Sequence, residues 1–527
     1  MRVGAIWLRP FSKRGDKMKK YSDLEYLRLS KWDRFVYTLV CTICGIPGGI
    51  LNFFKKIWAV IVKFFLGVKD EFADIFVTFR DGDWKTRVSY VITGFGNIAR
   101  GQVLRGLLFL LMEVVFIVYM IFGGAYWMSM LPSLGKVGPT VTYDPILDVP
   151  VTTYNDNSFK ILLYGVLTIF FIVGLIFTWR VNIKQNKIAE QIIKSGKKLR
   201  SGKQDLRSLV DDKFHATLLS LPLVGILVFT VMPIVFMILV AFTNYDSLHN
   251  GYTNNLFGWI GLDNFNTMLN WTAGNADYAA TFGEILAWTL MWAFFATFTN
   301  YFLGMGVAMM INKKGIRMNK FWRTCLVMTI AVPQFISLMY VSKMFATNGI
   351  VNGFLLNLGW ITQPINFWGE ANLARIMVII INIWVGIPYL MLMVTGILMN
   401  IPADLYESAK IDGAGAWKQF IKITLPYMLF VTGPYLLTQF TGNMNNFNVI
   451  YLLTGGAPNM TDVSGVLGTP GKTDLLITWL FKMITASEPA AYNLASVIGI
   501  LVFVVVAVIS LIVYNVMPSI KNEEEFQ

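Results

Sequence analysis

The sequence predicts an all-α, polytopic membrane protein, and three observations carry that reading. Of the 527 residues, 55% are hydrophobic and 14% charged, whereas a soluble domain is roughly 45–50% apolar and about 25% charged. Uncharged runs recur that match the about 20 residues a helix needs to cross a hydrocarbon core. Lys and Arg cluster in alternate loops between those runs. A formal charge of +13 therefore does not point to nucleic acid, because its distribution is that of loops retained on one side of a membrane. Three cysteines (Cys41, Cys44, Cys325) and two histidines (His215, His249) give no disulfide framework and no expected metal or cofactor site. Cys41 and Cys44 form a C-x-x-C, but no second ligand pair accompanies them.

In chain order the uncharged runs are Val114–Gly135 (with Gly106–Met112 before Glu113), Ile161–Trp179, Ala216–Tyr245 and Ile285–Asn312, followed by Thr324–Ser342, Ile376–Ala403, Ile423–Thr461 and Pro489–Ile520. About eight spans are expected. Two lie in 101–180 and six in 214–520, joined by a basic, helix-prone linker over 181–213. That linker reads as a solvated helix against anionic headgroups.

Residues 1–34 carry ten Lys/Arg, 180–213 ten, 313–323 five and 404–422 three. On the other side, 125–159 carries only Lys136, 246–284 and 346–370 none, and 456–488 only Lys472 and Lys482. Basic loops remain cytoplasmic, so both termini are expected in the cytoplasm of a cell whose membrane the chain crosses many times.

The N-terminal region, 1–100, is expected to be basic and cytoplasmic or interfacial. Phe35–Phe54 is long enough to span, but spanning would export residues 55–105 with their nine Lys/Arg. The next apolar stretch, Ile57–Val68, is short and interrupted by Lys63. Two amphipathic or re-entrant segments at the cytoplasmic face fit better. Gly45 and Gly49 form a G-x-x-x-G around Pro47, a pattern common by chance. Val3–Leu8 is too short for a signal-peptide core, and Met18 is an alternative start.

Three features invite a chemical reading. Gly465–Thr473 (GVLGTPGKT) resembles a phosphate-binding loop, but a Walker A motif requires its first Gly where Val466 stands, and the segment falls in an outer loop. Any ATP use must come from a partner. Glu113 is an intramembrane carboxylate, functional by default, yet only eight residues from Arg105, about 12 Å along a helix. It can reach the interface or pair with a neighbouring helix. The third is the cytoplasmic loop Asp404–Pro426, DLYESAKIDGAGAWKQFIKITLP. Leu405, Ala409 and Asp412 recur at helical spacing, as do Trp417, Phe420 and Ile421, and Gly413 suits a sharp turn between two short helices. This is a docking knob or an interfacial helical hairpin.

Two polar sets interrupt the apolar spans, Asn382-Ile-Trp-Val-Gly386-Ile-Pro388-Tyr389 and Gln439-Phe-Thr-Gly442-Asn443-Met-Asn445-Asn446-Phe-Asn448. Asn382, Gly386 and Tyr389 share a helix face at i, i+4 and i+7; Asn443 and Asn446 are i, i+3. Unpaired amides in lipid are costly. The clusters are either interhelical glue or uncharged donors and acceptors for a polyhydroxylated ligand.

The loop resembles the EAA motif of ABC importer permeases: Glu407-Ser408-Ala409, three residues, Gly413, nine residues, Ile423-Thr424-Leu425-Pro426, with Ser408 in place of the central Ala. The resemblance narrows to maltose-type (MalF) carbohydrate permeases through 255–265, 398–406, 447–456 and 471–478. It covers about 210–520, more weakly the two earlier spans. The outer loop 243–284 lacks the large insert of enterobacterial members, which suggests a Gram-positive style of transporter. The resemblance implies a six-helix type I permease core over 214–520, with 404–426 as the loop that docks an ATPase through Glu407, Ala409, Asp412, Gly413 and Ala414. It further implies that Asn382, Gly386, Tyr389, Asn443 and Asn446 bind sugar. Gln439, Gly442 and Asn448 depart from the maltose-type residues, and Gly442 in place of an aromatic would widen the pocket toward a longer oligosaccharide.

The expected function is import of an oligosaccharide, foremost maltose or malto-oligosaccharides, by alternating access with no covalent chemistry on this chain. Expected partners are a second homologous permease, two ATPase subunits and an extracellular lipid-anchored sugar-binding protein. Galacto- or xylo-oligosaccharide import is the alternative; a non-transporting scaffold or an ion-coupled carrier is the rival from another class.

Overall fold

A bilayer offers the backbone no hydrogen-bond partner but itself, so apolar runs of this length must become helices. The computed structural model describes residues 58–516 except 60, 61, 64, 145–148, 272–275 and 314. Phe35–Phe54, with the G-x-x-x-G and C-x-x-C patterns, lies outside the described residues. Among the described residues seven helices are long and apolar enough to span: α1 (Val103–Met130), α2 (Ser158–Lys194), α3 (Phe214–Val240), α4 (Ala276–Asn312), α5 (Ala371–Leu398), α6 (Ala416–Met444) and α7 (Tyr492–Val516). The strands among the described residues form one antiparallel hairpin, Thr140–Asp144 with Val149–Thr153.

The eighth expected span is not a straight helix. Asn319–Ala331 and Gln334–Met344 meet at 90°, and the count reaches eight if this bent pair crosses as one. Val332 is extended (φ −81°, ψ 125°) before Pro333, because a proline ring excludes the preceding residue from the α region. The run Ile423–Thr461 also divides. α6 ends at Met444, and Asn446 caps a separate helix, Phe447–Leu453, by accepting from the Val449 N–H.

The chain divides into two compact units, residues 1–114 with 175–207, and 115–174 with 208–527. In the first, residues 180–194 are not the solvated helix that their composition suggests. Arg180 bonds Glu71 and Asp74 at 2.5 Å each, Lys184 reaches Glu71 at 2.6 Å, and Lys187 reaches Asp74. Asn182 and Asn186 are buried, bonding Gly94, Ser89 and Asn97. Arg100 is buried against Asp83 and the Thr86 hydroxyl. These partners lie 80 or more residues from the linker, so its own periodicity could not reveal them. Glu113 accepts from the Thr93 N–H and hydroxyl at 2.7 and 2.8 Å, which accounts for a carboxylate inside α1.

In the second unit α4 is the central element. Trp288, Trp292 and Ala296 pack against Met377, Val378 and Ile381 of α5, and Tyr301, Met305 and Ala308 against Met391 and Val394 of α5 with Met428 and Leu436 of α6. Gly304 permits the close crossing, since a Cβ there would lie 2.7 Å from the Leu390 Cβ. The phosphate-loop lookalike is used structurally. Gly471 lies so close to the Gly456 carbonyl that a Cβ would sit 1.9 Å from its oxygen. Lys472 pairs with Glu284 at 3.1 Å, and buried Asp474 takes Lys482 at 2.7 Å and the Gly471 N–H.

Candidate functional site

Two regions of the second unit concentrate the sequence-predicted residues, and α6 connects them. At its start, the helix Ala403–Ile411 stops at Asp412, and Gly413 turns the chain with φ +74°. The Gly413 N–H donates to the Lys410 carbonyl at 3.0 Å and the Ala414 N–H to the Ala409 carbonyl at 2.8 Å. That pair of bonds around a left-handed glycine is a Schellman closure, and it explains why Gly413 stands at this position. Nothing lies within 4 Å of a Cβ at Gly413, so the glycine serves the turn and not a close approach.

The loop is tied back by Gln419 Nε2, which donates to the Ala414 carbonyl at 2.7 Å, and by Tyr406 Oη with Thr424 Oγ1 at 2.9 Å. Ile411 (88% exposed) and Trp417 (73% exposed) face outward, as do Glu407 and Asp412. Burying an aliphatic side chain such as Ile411 would contribute roughly 1.5–3 kcal/mol to an association. A π turn, Phe420–Thr424, leads into the rest of α6.

At the other end of α6 the polar sets converge on one face of α4. Asn443 Nδ2 donates to Thr297 Oγ1 at 3.0 Å, and the Asn443 carbonyl accepts from Trp292 Nε1 at 3.1 Å. Asn446 Nδ2 reaches Asn443 Oδ1 at 3.3 Å while Asn446 caps the next helix, so this pair shares a contact but not one continuous helix. One turn along α4, Asn300 Nδ2 donates to the Ala296 carbonyl at 2.8 Å and to the Asn382 carbonyl at 3.4 Å. Gly386 makes room for that amide, since a Cβ there would lie 2.7 Å from Asn300 Nδ2.

Two polar atoms of this cluster are buried without a partner among the described residues, Asn300 Oδ1 and Asn382 Nδ2. One is an acceptor and the other a donor. Pro388 has no N–H for the Trp384 carbonyl, which leaves a further acceptor in the same turns of α5. Tyr389 stays more than half exposed, and no hydrogen bond among the described residues ties it to the amides. Asn382, Gly386, Asn443 and Asn446 are thus brought to α4, and Tyr389 is not joined to them. Thr297 and Asn300 were not singled out from the sequence. Their signal is a buried stripe of small and polar residues at helical spacing, Thr289, Ala293, Thr297, Asn300 and Gly304. The cluster holds amides and hydroxyls without a charged side chain, a set suited to neutral hydroxyl groups.

Comparison with known proteins fits this architecture. Residues 300–522 match the family model of the binding-protein-dependent transport system inner membrane component. The maltodextrin transport system permease protein MdxF of Bacillus subtilis is 32% identical over 448 residues, covering 82% of this chain and 95% of the relative. The galactooligosaccharides transport system permease protein GanP of the same organism is 32% identical over 435 residues, covering 82% and 97%. MalF of Salmonella typhimurium is 32% identical over 269 residues, 51% of this chain and 50% of that one. A solved bacterial ABC transporter for alginate aligns over 59% of this chain and 97% of its own, at 21% identity and a TM-score of 0.46. The chain belongs to the binding-protein-dependent permease family, the multi-pass membrane subunits of ABC importers, and within it to the MalF type.

Proposed function

We propose that this permease carries malto-oligosaccharides across the cell membrane. ATP hydrolysis takes place on two partner subunits, one of them docked at 404–426, and a second homologous permease and an extracellular lipid-anchored sugar-binding protein complete the importer. Residues 214–520 form the transport core, 101–180 add two preceding spans, and 181–213 links the two. Both termini face the cytoplasm, as the Lys/Arg asymmetry of the loops supports. Ile411 and Trp417 enter a groove of the ATPase, with Glu407, Ala409, Asp412, Gly413 and Ala414 setting the shape of the knob. ATP-driven closure of those subunits moves the loop, and α5 and α6 transmit the movement to the amides.

The observation that carries the transport reading is the buried, uncharged cluster on α4 with an acceptor and a donor left unpaired. Asn382, Asn443 and Asn446 supply amides, Gly386 keeps space for Asn300, and Tyr389 offers a flat apolar face to a sugar ring. A single hydroxyl both donates and accepts, so one sugar hydroxyl satisfies Asn300 Oδ1 and Asn382 Nδ2 when the site opens. A galacto-oligosaccharide is the second reading, favoured by the comparable similarity to GanP.

The test is uptake of labelled maltotriose and galacto-oligosaccharide by cells carrying the whole transport system, wild type against Gly413→Asp, at matched membrane abundance. Loss of uptake in the variant is expected, and the sugar accepted by wild type identifies the substrate. Undiminished uptake by Gly413→Asp would overturn the coupling role of the loop.

A further inference from the structure

The helix over residues 65–81 has two unlike faces. Glu71 and Asp74 point to α2, where Arg180, Lys184 and Lys187 hold them. Hydrogen bonds from Lys187 and then Arg180 keep the Asp74 carboxyl below its usual range, so this face stays ionised and clamped at neutral pH. Tyr90 reinforces the attachment: its hydroxyl donates to the Ile75 carbonyl at 2.7 Å, and its own carbonyl accepts from Trp179 Nε1 at 2.9 Å. The opposite face is apolar. Phe72, Phe76 and Phe79 fall within about 60° of one another at 100° per residue, and Phe72 and Phe76 are 66% and 65% exposed.

The clamp fixes the level of this face along α2. Trp179 ends the uncharged run Ile161–Trp179, and Arg180 is the first charge after it. The attachment from Trp179 to Lys187 covers about 12 Å of helix, beginning where the hydrocarbon core ends and running through the roughly 5–8 Å headgroup layer. Apolar side chains next to the clamp in the chain, Val91, Ile92, Ile176 and Phe177, are exposed as well. Lys63 and Lys69 accompany the row in sequence, as basic residues do beside anionic headgroups.

We propose that residues 65–81 form an amphipathic helix lying in the headgroup–acyl boundary of the bilayer, with Phe72 and Phe76 inserted among lipid chains. The helix is a lateral anchor that ties the cytoplasmic extension of α2 to the membrane plane. The choice of the inner leaflet rests on the topology proposed above; lipid contact does not, so the two fail separately.

The experiment places a nitroxide on the full-length chain, at Phe72→Cys and Phe76→Cys in turn. Cys41, Cys44 and Cys325 are changed to Ser, and the protein is reconstituted in vesicles of phosphatidylethanolamine with about 30% phosphatidylglycerol. Asp81→Cys is the aqueous control. Collision with dissolved oxygen is expected to exceed that with a water-soluble nickel chelate several-fold at 72 and 76, and to fall below it at 81. Labels at 72 and 76 that collide freely with the nickel chelate would overturn the proposal. So would labels shielded from both probes, because protein, and not lipid, would then cover the row. Separate detergent-solubility and elution profiles identify a variant that has not folded, and Phe76→Trp with brominated lipids as quenchers then gives the same reading without a label: quenching supports lipid contact and its absence overturns it.

Discussion

The two ends of α6 show opposite kinds of incompleteness. At its start, apolar side chains, Ile411 and Trp417, stand in the open on a turn whose backbone bonds are fully closed. At its end, and across on α4 and α5, polar atoms are sealed inside an apolar bundle with two of them unpaired. Trp417 and Asn443 are 26 residues apart in the chain, about 39 Å along the helix. Exposed apolar area gains by meeting another protein, and buried unpaired amides gain by meeting a polar ligand. On the function proposed above, the same helix carries a surface for a macromolecule at one end and a site for a small hydroxylated molecule at the other.

This contrast can be broken or sharpened by substitution. The largest effect is expected at Trp417→Ala. Truncating a central exposed Trp typically costs 2 kcal/mol or more in an interface, which predicts at least a 30-fold weaker association with the ATPase subunits in titrations of the solubilised permease. An unchanged affinity would remove Trp417 from the docking surface.

Next comes Asn382→Ala. Loss of one ligand hydrogen bond is worth about 0.5–1.5 kcal/mol, so the sugar concentration for half-maximal uptake is expected to rise about two- to tenfold. Because Asn382 Nδ2 has no partner among the described residues, thermal stability of the protein without sugar should hold or rise slightly. A fall of several degrees without any change in sugar dependence would return the amide to the role of interhelical glue.

Asn446→Ala should separate structure from binding. The residue caps Phe447–Leu453, and loss of an Asn cap costs about 1 kcal/mol, seen as a lower unfolding temperature whether or not sugar is present. Restoration by Asp or Ser, which also cap, would assign the effect to the helix end. The smallest effect is expected for Tyr406→Phe, which removes one hydroxyl contact to Thr424. About 0.5–1 kcal/mol of loop anchoring is lost, measurable as faster hydrogen exchange over 404–424 with little change in uptake.

What was legible in the sequence follows the same division. The turn after Ala403–Ile411 is encoded locally: its closure needs a left-handed residue, which glycine adopts without steric cost, so Gly413 alone marks where the helix ends. The spans were legible as uncharged runs, but their interruptions were not given their weight. Val332-Pro333 is a dipeptide that excludes a straight helix, and Asn445-Asn446 ends one helix and caps another. The amide cluster was half legible. Asn382 and Asn443 stand out against apolar neighbours, whereas Thr297 and Asn300 hide in a stripe of small residues, and only the packing of α4 between α5 and α6 shows what they face. The linker over 181–213 was misread for a similar reason. Its cations Lys184 and Lys187 look solvent-bound until Glu71 and Asp74 arrive from a distant part of the chain, and its own Asp205 takes Arg105 of α1 at 2.6 Å.

The most direct measurement is sugar-dependent ATP hydrolysis by the purified, reconstituted importer with its binding protein, across maltotriose concentration, for wild type, Asn382→Ala and Trp417→Ala. Asn382→Ala is expected to raise the half-saturating concentration about two- to tenfold and still approach the wild-type maximum. Trp417→Ala is expected to lower the maximum at an unchanged half-saturating concentration. Both variants moving the same parameter, or Asn382→Ala leaving the sugar dependence untouched, would contradict the assignment of the two ends of α6 to coupling and to sugar.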